Sequence, residues 1–308
     1  NKFHGTFLSS IMKYQVNGRI HGEINQLRGD NGGTVSGRLS MSNPNLQQVP
    51  ARNKDFGPKI RSLFIPEEGY KWGSFDYSQQ EPRMTVHYAA SIGEGYEGSN
   101  ELVQAYQNSE ADFHQTVADL VGIERTQAKT IGLGLMYGMG KQKLAISLGV
   151  SKDEANELII KYNKKVPFVK KLSDRCKFAA DEKGVIRTKK GRKCRFDMWE
   201  TRDFGLHVAE KYEDAVAKYG KDNIKRAYTY KALNRLIQGS SADQTKQSML
   251  DCYNAGHLPM LQIHDELCFN IKDEKHAKEI QSIMQNAIKF KVPSVVDFGL
   301  GSSWGDAK

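Results

Sequence analysis

The spacing of apolar and polar positions changes character twice along this chain. The opening part reads as strand and turn. Tyr14-Gln-Val-Asn-Gly-Arg-Ile-His21 alternates about Asn17-Gly18, a strong two-residue hairpin signal. Two segments rich in Gly, Pro and Asn follow, 32–40 and 43–50, and read as loops that hold Arg38, Asn45 and Gln47 in fixed conformations. Lys71-Trp-Gly-Ser-Phe-Asp-Tyr77 predicts a short apolar strand, through Trp72 and Phe75, that ends in the carboxylate of Asp76. A polar turn leads from it into a helical run over 84–90, with Glu81 and Arg83 at its start. From residue 100 to about 219 the period is helical: 110–121, 125–138 and 151–162 each predict a helix, the last opened by Ser151 with Glu154 three residues on, a capping box. Residues 184–196 alternate as a hairpin, and 228–250 predict a long helix. Strand material returns over 258–271, interrupted by His264-Asp-Glu266. Ala277, Ile280, Met284 and Ala287 then mark the core face of a closing helix. Strands, a helical insertion, then a helix and strands predict an α+β fold: an antiparallel sheet domain with a helical subdomain inserted in its middle.

Composition narrows the class without fixing it. A chain of 308 residues buries a full core and is expected to form two subdomains. Its formal charge of +9 suits a polyanionic partner, although many solvated surfaces carry a similar excess. The four cysteines show no C-x-x-C spacing, so reduced intracellular thiols are expected rather than zinc ligation. No run approaches the ~18 apolar residues of a membrane span and no secretory signal is recognised, so an intracellular, soluble chain is the expectation. The first residue is Asn1, as expected for a piece of something longer.

Two carboxylates carry the candidate chemistry. Asp76 ends a strand read as buried, and Asp265 falls in the apolar register of Leu261, Ile263, Leu267, Phe269 and Ile271. A carboxylate in either place needs a partner: a capping amide, an arginine or a divalent cation shared by both. Two Mg²⁺ ions about 3.5–4 Å apart, activating one oxygen and stabilising another, would meet that need. Arg125, Lys129, Leu133 and Tyr137 recur at every fourth position and drift slowly round one side of a helix. Cations at one end and an aromatic at the other suit a ligand with phosphates and a base. The alternative is an exposed basic helix, but Ile131-Gly-Leu-Gly-Leu-Met-Tyr-Gly138 is too apolar and too Gly-rich for a solvated face. Asn234, Gln238 and Ser241 form a polar stripe that normally faces water. Between Lys183 and Arg195 seven cations stand with no acid, either a solvated edge that resists aggregation or a phosphate contact.

These motifs together resemble the polymerase portion of the family A, DNA polymerase I-like enzymes of bacteria and phages. Asp76-Tyr-Ser-Gln-Gln-Glu-Pro-Arg83 is similar to their motif A, Arg125-x-x-x-Lys129 through Tyr137-Gly138 to motif B, and His264-Asp-Glu266 to motif C. Thr34-Val-Ser-Gly-Arg-Leu-Ser40, Asn43-Pro-Asn-Leu-Gln47 and Gln238-Gly239 match further signatures in the same order, from about Gly18 to Trp304. The resemblance implies a right-hand polymerase fold: base of thumb over 1–33, palm over 34–99 and 228–308, and inserted helical fingers over 100–227. It implies a DNA-directed DNA polymerase that joins a dNTP to a primer 3′-hydroxyl and releases pyrophosphate. Asp76, Asp265 and Lys129 would be catalytic. Asp76, the Tyr77 carbonyl, Asp265 and Glu266 would serve two Mg²⁺ ions. Gln79, Glu81, His114, Arg125, Lys129, Leu133 and Tyr137 would meet the nucleotide, with Glu81 screening against a ribose 2′-hydroxyl. Arg38, Asn45, Gln47, Asn234, Gln238 and His264 would contact primer–template DNA, partly in the minor groove. Most of a thumb and any proofreading exonuclease are expected to lie elsewhere, in a longer chain or in accessory replication proteins, in the cytoplasm of a bacterium or phage-infected cell. Three departures stand out: Leu133 in place of a usual aromatic, Pro82 in place of a common Leu, and a longer, phage-like segment between Phe196 and Tyr228. A single-subunit RNA polymerase, which shares the Arg/Lys–Tyr-Gly helix and the His-Asp pair, and a non-catalytic nucleic-acid-binding remnant are the alternatives. Glu81 argues against the first, and the intact Asp76, Asp265, Arg125 and Lys129 against the second.

Overall fold

A computed structural model describes residues 5, 9–27, 33–50, 53, 55–108, 112–203, 205 and 207–307. The expected helix start at Glu110 and the loop start at Gly32 lie outside them. In chain order the elements are α1 (Ser10–Met12), β1 (Gln15–Val16), β2 (Arg19–Ile20), β3 (Glu23–Asn25), β4 (Ser40–Ser42), α2 (Gly57–Arg61), β5 (Lys71–Tyr77), α3 (Gln80–Ala90) and α4 (Ser99–Asn108). Then come α5 (Phe113–Val121), α6 (Arg125–Met136), α7 (Lys141–Leu148), α8 (Lys152–Lys165), α9 (Pro167–Lys183), β6 (Val185–Arg187), β7 (Lys193–Arg195), β8 (Trp199–Thr201), α10 (Tyr212–Tyr219) and β9 (Ile224–Arg226). α11 (Ala232–Asn254), β10 (Leu261–Ile263), β11 (Glu266–Ile271), α12 (Glu274–Asn286) and β12 (Val296–Gly301) close the chain. Two compact units result, Asn1–Gln80 with Ser241–Lys308, and Glu81–Ser240. The boundaries fall inside α3 and α11 rather than at 99/100 and 227/228. Most of α3 goes with the middle unit, where Thr85 meets Met136 and Tyr88 meets Ser240.

The first unit is built on an antiparallel sheet in the order β10-β11-β5-β12. Alternation along β5 sends Phe75 and Tyr77 to one face, where Leu267, Phe269, Ile271 and Val296 join Cys252 of α11 and Ala277, Ile280 and Met284 of α12. Burying each such aliphatic or Phe side chain stabilises the fold by about 1.5–3 kcal/mol. Gly73 stays small because a Cβ there would stand 2.4 Å from the Ile271 side chain. Trp72 goes to the other face and stacks on Trp304, with ring centroids 6.0 Å apart, in a cluster with Ile60, Leu261, Ile263 and Cys268. The predicted hairpin at Asn17-Gly18 forms as β1–β2, with both turn residues at positive φ (51° and 78°), as a type I′ turn requires.

The middle unit is mainly helical, and the cap read from the sequence forms beside two others. Ser151 and Glu154 form the capping box of α8, and Glu124 with Gln127 form another at α6. Asp112 caps α5 by accepting from the amides of His114 and Gln115. Residues 184–196 form the β6–β7 hairpin, and the longer segment after Phe196 folds as β8 and β9 paired antiparallel, with α10 between them. The four cysteines are free and buried. Among the described residues no helix is long and apolar enough to cross a membrane.

Candidate active site

The carboxylates meet at one end of the four-stranded sheet. β5 pairs with β11 so that Asp76 stands opposite Glu266, and with β12 so that Asp76 stands opposite Asp297. Directly opposite residues share a face, so three acids cross three adjacent strands on the side away from Phe75 and Tyr77. Asp76 is exposed, which corrects the expectation of a buried strand-end carboxylate: alternation turns it outward while its neighbours fill the core. Asp265 does not continue the apolar register either. It sits half-buried in the two-residue turn between β10 and β11, next to His264 at φ 56°, and its carbonyl accepts from the Tyr77 amide at 3.4 Å. The turn changes the phase, so Leu261 and Ile263 line the face of Glu266, while Leu267, Phe269 and Ile271 line the opposite one.

Glu266 is anchored from below. Its Oε1 accepts from Ser74 Oγ at 2.7 Å and from Trp304 Nε1 at 3.3 Å, which makes it a support as much as a donor for any ion. The Tyr77 hydroxyl, bonded to Ser248 and donating to the Met284 carbonyl, is held up by burial well above the usual phenol range. Only the Tyr77 backbone is therefore available to a ligand. Among the described residues no three His, Cys, Asp or Glu side chains converge closely enough to cage an ion unaided. The donor set still fits Mg²⁺, which binds through one or two carboxylates and takes its other ligands from water and substrate phosphates. Like charges set opposite one another along β11, β5 and β12 destabilise the bare sheet end and favour a cation there.

In the middle unit α6 buries Ala128, Ile131, Gly132 and Met136 and turns Arg125 and Lys129 outward, with Leu133 half-buried beyond them. Tyr137 ends the helix, and its hydroxyl donates to the Glu81 carboxylate. Arg125 is held by Asp112, with Nε donating at 2.7 Å and a second nitrogen 2.6 Å away. Burial works to raise the Asp112 carboxyl, but the Arg125 hydrogen bond and the Gln115 and His114 amides outweigh it and hold the carboxyl below its usual range. His114 is buried, and its Nδ1 has no partner among the described residues. Burial, reinforced by Lys129 and Arg125 against the pull of Asp112, lowers its pKa to about 4, so the ring is neutral near pH 7. Gln79 takes a positive φ of 51° just ahead of α3. Pro82, buried in the first turn of that helix, lacks only an N–H that would have no helical acceptor.

The residues expected at DNA fall in both units. Asn45 caps a short 3₁₀ turn, and Gln47 Nε2 donates to Gln262 Oε1 at 2.9 Å, whose own amide nitrogen donates to the His264 carbonyl at 2.7 Å. That chain fixes the exposed His264 at the hairpin tip. Arg38 is half-buried, as are Asn234 and Gln238, whereas Ser241 is buried and leaves the polar stripe they begin. Sequence reasoning missed Asp297, the Ser74–Glu266 contact and the Asp112–Arg125 pair. The lone acid in Val295-Val296-Asp297-Phe298 was a signal for the first, but its meaning depends on a register across three strands.

A family model described as DNA polymerase family A matches residues 1–306. The chain is 39% identical to "DNA-directed DNA polymerase" of Pseudomonas phage M6 over 99% of its own length and 50% of that protein's. It is 35% identical to "DNA polymerase I" of Synechocystis sp., covering 100% of this chain and 31% of the relative. Among solved structures, the POL domain of Pol1 from M. smegmatis, in complex with DNA primer-template and dNTP, matches 99% of the chain and 52% of its own with a TM-score of 0.79 at 28% identity. The chain thus spans about half the length of the first curated relatives it matches, or less. Over that span its strands, helices and motifs agree with one family, and the chain belongs to DNA polymerase family A.

Proposed function

We propose that this chain carries the template-directed DNA-synthesis activity of its family: a primer 3′-hydroxyl attacks the α-phosphate of a paired dNTP, and pyrophosphate leaves. The observation that carries the reading is the register that sets Glu266 opposite Asp76, with Asp265 in the adjoining turn, at one end of the β10-β11-β5-β12 sheet. Two divalent ions, when bound, supply the charge that activates the attacking oxygen and neutralises the leaving one. Asp76, Asp265 and the Tyr77 carbonyl would hold them, and Glu266, tied to Ser74 and Trp304, keeps the β11 end from shifting beneath them. Lys129 and Arg125 bind triphosphate oxygens, Arg125 through the part of its fork that Asp112 leaves open. Neutral His114 adds a hydrogen bond without a further charge. Lys129 is the group to stabilise charge, or give a proton, as pyrophosphate departs. Leu133 and Tyr137 pack against the incoming base, Gln79 and Glu81 meet its sugar, and Arg38, Asn45, Gln47, Asn234, Gln238 and His264 meet primer and template.

Primer extension with Mg²⁺ tests the assignment. Asp76→Asn and Asp265→Asn each keep the shape of the side chain and remove its charge. Each is expected to lower the rate by at least about a thousandfold, some 4 kcal/mol of transition-state stabilisation, while primer–template affinity stays within a few-fold. Extension that survives either change close to the parent rate sinks the two-ion reading.

A further inference from the structure

The acids at the end of the sheet repel one another, and the fold places a buried cation close by. Glu266 stands opposite Asp76, Asp76 stands opposite Asp297, and Asp265 lies in the adjoining turn. Arg61 ends α2 and is buried, with 4% of its surface exposed. Its Nε and one terminal nitrogen have no hydrogen-bond partner among the described residues. A guanidinium taken out of water without such partners costs free energy, so its place in the core needs a reason.

Trp304 is the link. The Arg61 guanidinium lies over its ring, 4.3 Å from the centroid, and the ring N–H donates to Glu266 Oε1 at 3.3 Å. The indole is fixed: it is fully buried, stacks on Trp72 and meets Phe64 edge-on at 5.6 Å. Its backbone amide donates to the Phe64 carbonyl at 2.9 Å. The chain just after it presses on α2, since a Cβ on Gly305 would stand 2.8 Å from the Pro58 carbonyl oxygen. Arg61 is thus held one indole away from Glu266. Burial pulls its pKa down from the usual value, and the charge of Glu266 leads the influences that oppose that pull. The plain alternative is packing, in which the stem and π contact fill space beside Trp304 and the charge does nothing. Packing alone is a poor reason for a buried cation, because an apolar side chain of similar length would fill the space without the desolvation cost.

We propose that Arg61 is a built-in counter-ion of the carboxylate row, and that its charge weakens divalent-ion binding there until a nucleotide brings its own phosphate ligands. The inference rests on the two-ion reading of that row. A charge buried this close acts through a low dielectric and is poorly screened by solvent. Mg²⁺ held by one or two carboxylates takes its other ligands from water and phosphates. A site kept weak for the bare ion is therefore filled mainly together with its substrate.

Mn²⁺, which accepts the same carboxylate and water ligands, is titrated into the full chain without DNA or nucleotide, and the free ion is read by electron paramagnetic resonance. Arg61→Met keeps the stem and removes the charge, Arg61→Gln removes the charge and keeps a polar end, and Arg61→Lys keeps the charge. Both neutral variants are expected to bind Mn²⁺ at least about threefold more tightly than the parent, and Arg61→Lys within about twofold of it. Mg²⁺ should also raise the urea midpoint of the neutral variants more than that of the parent, because tighter binding stabilises the folded state further. Either neutral variant carries the test if the other does not fold. Unchanged or weaker binding in the neutral variants leaves Arg61 a packing residue, and equal tightening in Arg61→Lys assigns the effect to shape. Each of these overturns the proposal. Asp76→Asn separates the two readings, since it is expected to weaken Mn²⁺ binding in the same assay. If it does, and the neutral Arg61 variants stay at the parent affinity, the counter-ion proposal falls alone. Unchanged binding in Asp76→Asn removes the two-ion reading and this proposal with it.

Discussion

The hydroxyl of Tyr137 donates to the carboxylate of Glu81, and this single contact gives each side chain one orientation. Glu81 lies in the first turn of α3, where the helix dipole favours a negative charge, and Tyr137 caps α6. If the pair forms the wall against which the sugar sits, removing the carboxylate opens room for a 2′-hydroxyl. Glu81→Ala is expected to raise ribonucleotide relative to deoxyribonucleotide incorporation on the order of tenfold, about 1.4 kcal/mol of lost discrimination. Tyr137→Phe keeps the bulk and should move the ratio less. Competition between matched rNTP and dNTP in single-nucleotide extension reads both, and an unchanged ratio in Glu81→Ala removes the gate. At this scale the sequence shows which residue types stand in each motif. It does not show burial: Asp76 is outward-facing between fully buried Phe75 and core Tyr77, and only the phase of the strand decides that.

At the scale of elements, the caps carried the most information. Ser151 with Glu154, and Asn17-Gly18, each name a local hydrogen-bond pattern that forms in the structure. The β10–β11 turn was harder. A run that looks like continuous alternation from Leu261 to Ile271 is two strands, and His264 and Asp265 reverse the face between them. Asp297 stayed hidden for a related reason, since nothing local to β12 says that it will stand opposite Asp76. The end of α6 shows how tightly one such boundary is fixed. Gly138 has φ +70°, and a Cβ there would lie 3.1–3.2 Å from Tyr230. Gly138→Ala combines left-handed strain of about 1–2 kcal/mol with crowding, so the urea midpoint should fall and Tyr137 should lose its position. A raised KM for dNTP accompanying the lower midpoint is the expected pairing. An unchanged midpoint would mean that the turn relaxes freely.

For the whole molecule, the two compact units differ in how they should answer acid. In the middle unit the His114 pKa is lowered from 6.5 to about 4, chiefly by burial, with Lys129 and Arg125 adding to it and Asp112 opposing. The unfolded chain therefore binds a proton that the folded chain refuses between these values. Stability is fully present above pH 6.5 and is lost as pH falls toward 4, by up to about 3 kcal/mol. His276 in the first unit shifts in the same direction, through burial and the neighbouring His257, but it stays partly in solvent and contributes less. Asp112 acts with the same sign at lower pH: its lowered carboxyl keeps its charge, and its hold on Arg125, until the pH drops further, and the stability it contributes is lost only then. The middle unit is the helical one, whereas buried Trp72 and Trp304 belong to the sheet unit. In a Trp199→Phe background, tryptophan emission reports the sheet unit and far-UV ellipticity mainly the helical one. Titrating from pH 7 to 4 at a fixed, mildly destabilising urea concentration should lower the ellipticity before the emission moves. His114→Gln, neutral at every pH, should remove most of that gap. Coincident transitions in the parent, or a gap that survives His114→Gln, would place the acid sensitivity outside His114.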